Sequence, residues 1–219
     1  MLFMRSIQSL AVLAVNRTLT AFTLALIGLV GAFIVTSNEA QAGNAHYQAK
    51  NMVLLPDLTP AAGAATLTRT NTGISYAVYT SGLTPGANTI WIVIFNKPEN
   101  CMAGGPGVCM GPDLDNPAVQ GSVVAGSGYI VGADGIANFV GSLEKGSPPT
   151  GIQVNVPAGT ANGLKHPKKA EIHLVVRQHG PVDDMGGAVT QLTTFESPAT
   201  CINPEVCINV QAVIFEAVQ

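Results

Sequence analysis

The stretch Glu171-Ile172-His173-Leu174-Val175-Val176-Arg177-Gln178-His179-Gly180-Pro181 restricts the fold more than any other part of the chain. On an extended strand, successive side chains point to opposite faces. Ile172, Leu174 and Val176 then share one face, and Glu171, His173, Val175, Arg177 and His179 share the other. The aliphatic face belongs in a core. The other gathers two of the chain's four histidines with one acid and one arginine. It reads as a polar, solvent-facing surface and as the best place for a chemical site.

Residues 1–42 read as a secretory signal peptide and 43–219 as a single β-sandwich domain. Arg5 and Arg17 make a positive start, Thr18 to Val35 is apolar and uncharged, and Ala40-Gln41-Ala42 is a small-residue cleavage site. The alternative is an uncleaved anchor, since 18 apolar residues can cross a bilayer. The mature chain of 177 residues would carry 8 basic and 12 acidic residues, a net charge of −4. A domain of this length buries roughly 70% of its unfolded surface, enough for one core. Nucleic-acid recognition needs a basic footprint. Only Lys165, Lys168 and Lys169 cluster, and with His166 they read as a solvated loop.

All four cysteines, Cys101, Cys109, Cys201 and Cys207, lie in the mature part. An even count behind a leader reads as two disulfides. Pairing Cys101 with Cys109 and Cys201 with Cys207 closes two short loops, each worth about 2.5 kcal/mol in the chain-entropy model. The C-x7-C and C-x5-C spacings are not those of a zinc ribbon. Secretion, to the periplasm, cell surface or exterior, is the matching location.

Low charge with abundant Gly, Thr, Val and Ala describes an all-β domain. Met52 to Leu55, stopped by Pro56, reads as an edge strand after a loose N-terminus, and Pro60 to Gly63 as a turn. Ala64 to Thr70 and Ile74 to Thr80 form a hairpin around Asn71-Thr72-Gly73. Ile90 to Phe95 is apolar on both faces, which predicts a central strand covered from both sides, with Trp91 in the packing. Asn96 to Pro117 is a long Gly/Pro loop. Ser122 to Val131 and Ile136 to Leu143 predict a second hairpin. Ser147 to Lys169 and Val182 to Phe195 read as connections, and Ile208 to Val218 as a second central strand. About eight strands without regular helices predict a two-sheet antiparallel Greek-key sandwich with long disulfide-stapled loops.

Ser81-Gly82-Leu83-Thr84-Pro85-Gly86, Trp91 with Ile94 to Cys101, and Ala170 to Pro181 together resemble a group of uncharacterised secreted bacterial β-sandwich proteins. These share an IFNxPE-C…C…EIHLVVRxHGP pattern, and the resemblance spans most of the mature chain. It implies a fold and a secreted location, and no activity. A more distant likeness, to Cu/Zn superoxide dismutase and CHRD-type domains, rests on the G-L-x-P-G turn and on Asp134-Gly135. Those dismutases carry an H-x-H pair after the turn, where this chain has Thr89-Ile90-Trp91-Ile92. The likeness implies fold only.

His173 and His179 are the candidate metal ligands, with copper or zinc as the ion. Six residues of extended chain separate them by about 20 Å, whereas donors of one ion lie within about 4 Å of each other. Joint ligation requires a bend at Gly180-Pro181 or a bulge. Arg177 and Glu171 are candidate ligand-binding residues, because a guanidinium fork recognises carboxylates and phosphates. Asp113-Leu114-Asp115-Asn116 and Asp183-Asp184 read as turns rather than calcium loops, since Pro117 breaks the required pattern. Gly126-Ser127-Gly128 lacks the nucleophile-elbow spacing, and paired cysteines supply no thiolate. The leading expectation is a secreted, non-enzymatic binding or structural domain for a small ligand or a protein. One alternative is a metal-dependent redox or hydrolytic enzyme using His173 and His179. The other is a homo-oligomeric assembly subunit pairing through the Met52–Leu55 edge.

Overall fold

Alternating sequence becomes alternating burial along the strands of the chain. The computed structural model describes residues 45–147, 162–182, 187–193 and 207–218. Among them are eight strands: β1 (His46–Leu54), β2 (Pro60–Arg69), β3 (Gly73–Thr80), β4 (Gly86–Phe95), β5 (Gly121–Val131), β6 (Ala137–Glu144), β7 (Glu171–Gly180) and β8 (Asn209–Phe215). One short helix, α1 (Ala188–Thr193), lies in a span expected to be loop. Gly128 of β5 has no side chain to hold it off: a Cβ there would come within 2.5 Å of the Leu192 carbonyl oxygen. The expected leader, residues 1–42, lies outside the described residues.

The protein is all-β, and every strand pairing is antiparallel. The strands form one sheet, in the order β5-β4-β7-β8-β1-β2-β3-β6, rather than two separate sheets. The joint is narrow, because β1 and β8 share only the pairs Val53–Ala212 and Leu54–Gln211. The sheet folds over at this joint until its two end strands, β5 and β6, touch. Ile90, Ile92, Ile94, Ile172, Leu174 and Val176 from one half then pack with Leu67, Ile74, Tyr76 and Phe139 from the other.

The seam between β5 and β6 has no strand ladder, so the hairpin expected there is not formed. β6 pairs with β3, and β5 pairs with β4. Tyr76 closes the seam instead. Its hydroxyl lies 3.1 Å from Ser127 Oγ and accepts the Ser127 N–H at 2.9 Å. Gly126 and Gly141 make room for the ring, since a Cβ on either would come within 2.6 and 2.5 Å of the Tyr76 hydroxyl. Burial raises the phenol's pKa, and its bonds to Ser127 oppose that.

Two expectations near the N-terminus are corrected. Residues 46–51 are strand, not a loose terminus, and Pro60–Gly63 belongs to β2 rather than to a turn. β1 is no edge, because it pairs with β2 on one side and β8 on the other. Most of its side chains are exposed or half-buried, with only Met52 fully buried, so the strand is held by backbone pairing that leaves no apolar alternation to read. The assembly reading therefore loses the edge on which it rested.

Candidate functional site

The outer face of β4, β7 and β8 is not solvated. Glu171, His173 and Val175 are 5%, 8% and 8% exposed, and His179 is 0%. The sequence expectation of a water-facing surface is overturned by the 96–120 segment, which folds back as a roof. Cys101, Cys109, Leu114 and Val119 of that segment pack with Trp91, Phe95, Val123, Val175 and Ala212 into a second apolar cluster. Among the described residues no helix is long and apolar enough to cross a membrane.

The roof is built from short-range chemistry. The Cys101–Cys109 disulfide closes an 8-residue separation, as the spacing predicted. Cys207 is also disulfide-bonded, and its expected partner Cys201 lies outside the described residues. Such bonds match an oxidising compartment. Asp113 sits in the short 3-10 turn Gly111–Asp115 and accepts the N–H groups of Met102 at 2.8 Å, Ala103 at 3.1 Å and Met110 at 2.8 Å. Burial pushes its carboxyl up, but these donors outweigh it and hold the group below the ordinary carboxylate range. Asn100 donates to the Ala118 carbonyl at 2.9 Å. Asp113-Leu114-Asp115-Asn116 thus serves the turn, as expected.

Between roof and sheet lies an apolar cavity of about 200 Å³. Leu55, Leu58, Trp91, Phe95, Leu114 and His173 are among the side chains that line it. His173 closes one wall: its Nε2 is 2.6 Å from Glu171 Oε1, and its ring lies 5.0 Å from that of Phe95. Glu171 faces a second, adjoining concavity with Lys50 and Glu216, which form an ion pair. Burial pushes Glu216 up, and the Lys50 ammonium with the nearby His173 outweighs it, leaving the carboxyl below its ordinary value. At the other wall the Arg177 guanidinium stands 4.4 Å over the Trp91 ring and donates to Asn209 Oδ1 at 3.1 Å. Burial lowers the Arg177 pKa. Two π-faces and one imidazole thus surround hydrocarbon, which suits recognition of a small apolar or aromatic body.

The two histidines do not meet. A bulge does occur, because Ala87 pairs with Gly180 while Asn88 pairs with Gln178, leaving His179 between them. It turns His179 toward other partners: Nε2 lies 2.8 Å from Thr89 Oγ1, and Nδ1 lies 3.7 Å from Cys207 Sγ. His173 faces Glu171 instead. Among the described residues, no group of three or more His, Cys, Asp or Glu is placed to hold a metal ion. Glu171 and Arg177 also part company: Glu171 meets His173, whereas Arg177 lies over Trp91 and bonds to Asn209.

Gly86 of the Thr84-Pro85-Gly86 turn and Gly180 before Pro181 pack backbone to backbone. A Cβ on Gly86, whose φ is 136°, would come within 2.1 Å of the Gly180 carbonyl oxygen. Asn96, in the IFNKPENC stretch, is a buried tie: its Nδ2 donates to the carbonyls of Gln120 at 2.9 Å and Gly163 at 2.8 Å, and its Oδ1 accepts the Lys165 N–H at 2.8 Å.

The sequence reading passed over Arg69 and the apolar roof residues Met110 and Leu114. Arg69 is fully buried on the inward side of β2. Its five N–H groups reach Gln48 Oε1 and the carbonyls of Pro167, Ala170, Phe215 and Glu216 at 2.7–3.1 Å. Burial lowers its pKa to about 10, against the pull of Glu171 and Glu216. Its signal was legible, since it continues the inward parity of Ala65 and Leu67. Comparison with known proteins found no matching family, no matching curated protein and no matching solved structure.

Proposed function

We propose that this chain is a secreted, non-enzymatic binding domain whose ligand is a small, largely apolar molecule held between the outer face of β4-β7-β8 and the disulfide-stapled roof. The carrying observation is the cavity of about 200 Å³ between two layers that are otherwise well packed. An apolar cavity of about 150 Å³ can take a benzene ring, so the occupant has the size of one substituted ring or a short alkyl chain. Secretion is supported by the disulfides, by the leader pattern of residues 1–42 and by the resemblance to secreted bacterial proteins. His173 is held by Glu171 and by the Phe95 ring, and we read the pair as a polar wall of the cavity.

Trp91 is the only tryptophan and lines the cavity, so its emission reports occupancy directly. Toluene and 1-octanol titrated into the wild-type protein are expected to change Trp91 emission saturably. Val93→Phe, which fills the cavity from its floor, is expected to abolish that response while leaving the melting curve cooperative. Absence of saturation in the wild type, or an unchanged response in Val93→Phe, overturns the reading.

A further inference from the structure

We propose that a second site, where the 70–73 turn, the 145–147 segment and the 165–169 segment meet, binds a multiply charged oxyanion of the phosphate class. These segments line a concavity of about 310 Å³ that contains Lys145, Lys165, Lys168, Lys169 and His166. Four of the eight basic residues beyond residue 42 thus face one hollow, in a chain whose net charge is −3. Among the described residues no acid lines it; the nearest in sequence, Glu144, lines the adjoining rim with Lys145. The ion pairs recorded among the described residues lie elsewhere.

The sequence suggested a solvated lysine loop. A solvated loop would let like charges spread apart, since mutual repulsion opposes their assembly. Here the backbone is pinned so that they stay together. The buried Arg69 guanidinium holds the Pro167 and Ala170 carbonyls at 2.7 and 2.8 Å from behind. Asn96 holds the Lys165 N–H, and the Val218 N–H donates to the Lys168 carbonyl at 2.8 Å. Lys145, remote in sequence, is brought in by its N–H on the Thr72 carbonyl at 2.8 Å and by the Gly146 N–H on the Leu164 carbonyl at 2.9 Å. Lys165 Nζ is oriented by Asn162 Oδ1 at 2.7 Å. A concavity of one sign with low-dielectric walls concentrates counter-ions. Ammonium groups, each with three rotatable donors, adapt to the tetrahedral oxygens of a phosphate.

Two arms distinguish a free polyphosphate from a phosphate presented by a lipid headgroup. Tripolyphosphate is titrated into the full chain by calorimetry. Co-sedimentation is measured with vesicles of phosphatidylglycerol in phosphatidylcholine and with phosphatidylcholine alone. The reference is Lys145→Gln/Lys168→Gln/Lys169→Gln, in which any contribution of residues 1–42 to vesicle binding cancels. These side chains are exposed or half-buried, and a thermal melt confirms folding, with Lys97→Gln as a lysine control outside the hollow. The wild type is expected to bind at least one probe, with affinity falling as salt rises from about 50 to about 200 mM. The triple variant is expected to lose about tenfold or more, and Lys97→Gln almost nothing. Tripolyphosphate binding alone identifies a free anion, and charge-dependent vesicle binding a headgroup. No binding of either probe by the wild type, or equal binding by the triple variant, overturns the proposal.

Discussion

Strand β7 has two buried faces that are buried for different reasons. Ile172, Leu174 and Val176 are 0% exposed in a core closed on all sides by other strands. Glu171, His173 and Val175 are shielded by a loop, with a cavity left between. On the inner face, strand pleating and aliphatic side chains fill space to crystal-like density. On the outer face, burial depends on a covalent clip and on one carboxylate that gathers backbone donors. Stability should therefore reside on the inner face, and ligand access on the outer.

The largest effect tests the inner face. Leu174→Ala removes a fully buried side chain from the centre of the larger cluster. It is expected to destabilise the protein by about 2–5 kcal/mol, read as a lower urea midpoint with Trp91 emission unchanged before the transition. If Val175→Ala, one residue away on the outer face, costs as much, the two faces are energetically alike and the contrast fails.

A smaller effect tests the roof. Cys101→Ser/Cys109→Ser removes a loop constraint worth about 2.5 kcal/mol in the chain-entropy model. Part of that should appear as local opening rather than global unfolding. Amide exchange should quicken at 101–119 while β2 and β3 stay protected, and Trp91 emission should shift to the red. Uniform acceleration across the sheet would show instead that roof and sheet unfold as one unit.

This asymmetry also explains what was legible in the sequence. Period-two alternation located β2, β3 and β7, and the doubly apolar Ile90–Phe95 run announced a strand covered on both sides. The reason for that cover was in view too, because Met110, Leu114 and Val119 are apolar residues in the segment that carries the Cys101–Cys109 staple. Gly and Pro dominate the segment, and loops are expected to face water, which masks that apolar content. The same expectation misplaced the outer face of β7. Polar residues on a strand signal a different environment from the core, not necessarily solvent. His173 satisfies that signal with Glu171 and Phe95, and His179 with Thr89. Strand partners were harder still. β5 and β6 are adjacent in sequence around Asp134-Gly135, yet each pairs elsewhere, because Tyr76 occupies the space where a ladder would close. Three lysines of the hollow cluster in sequence with His166, but Lys145, about twenty positions away, and the 70–73 turn join them only through the fold, which no local pattern can reveal.

The smallest effect concerns acid. Asp113 is the carboxylate that ties Met102, Ala103 and Met110 into the roof, and it is held below the ordinary carboxylate range. A group with a depressed folded pKa contributes stability that is complete above its unfolded pKa, near 3.9. That contribution is lost as pH falls through the folded value. The roof should therefore loosen only below about pH 4, while the inner face, which carries no such group among its aliphatic residues, should hold. Asp113→Asn keeps the shape but loses the charge, and is expected to cost about 1–2 kcal/mol at neutral pH. Urea midpoints of wild type and Asp113→Asn, followed by Trp91 emission from neutral pH downward, should converge as the wild-type carboxyl protonates. Parallel curves through that range would mean that Asp113 does not hold the roof, and that the disulfide and apolar contacts suffice to shelter the outer face.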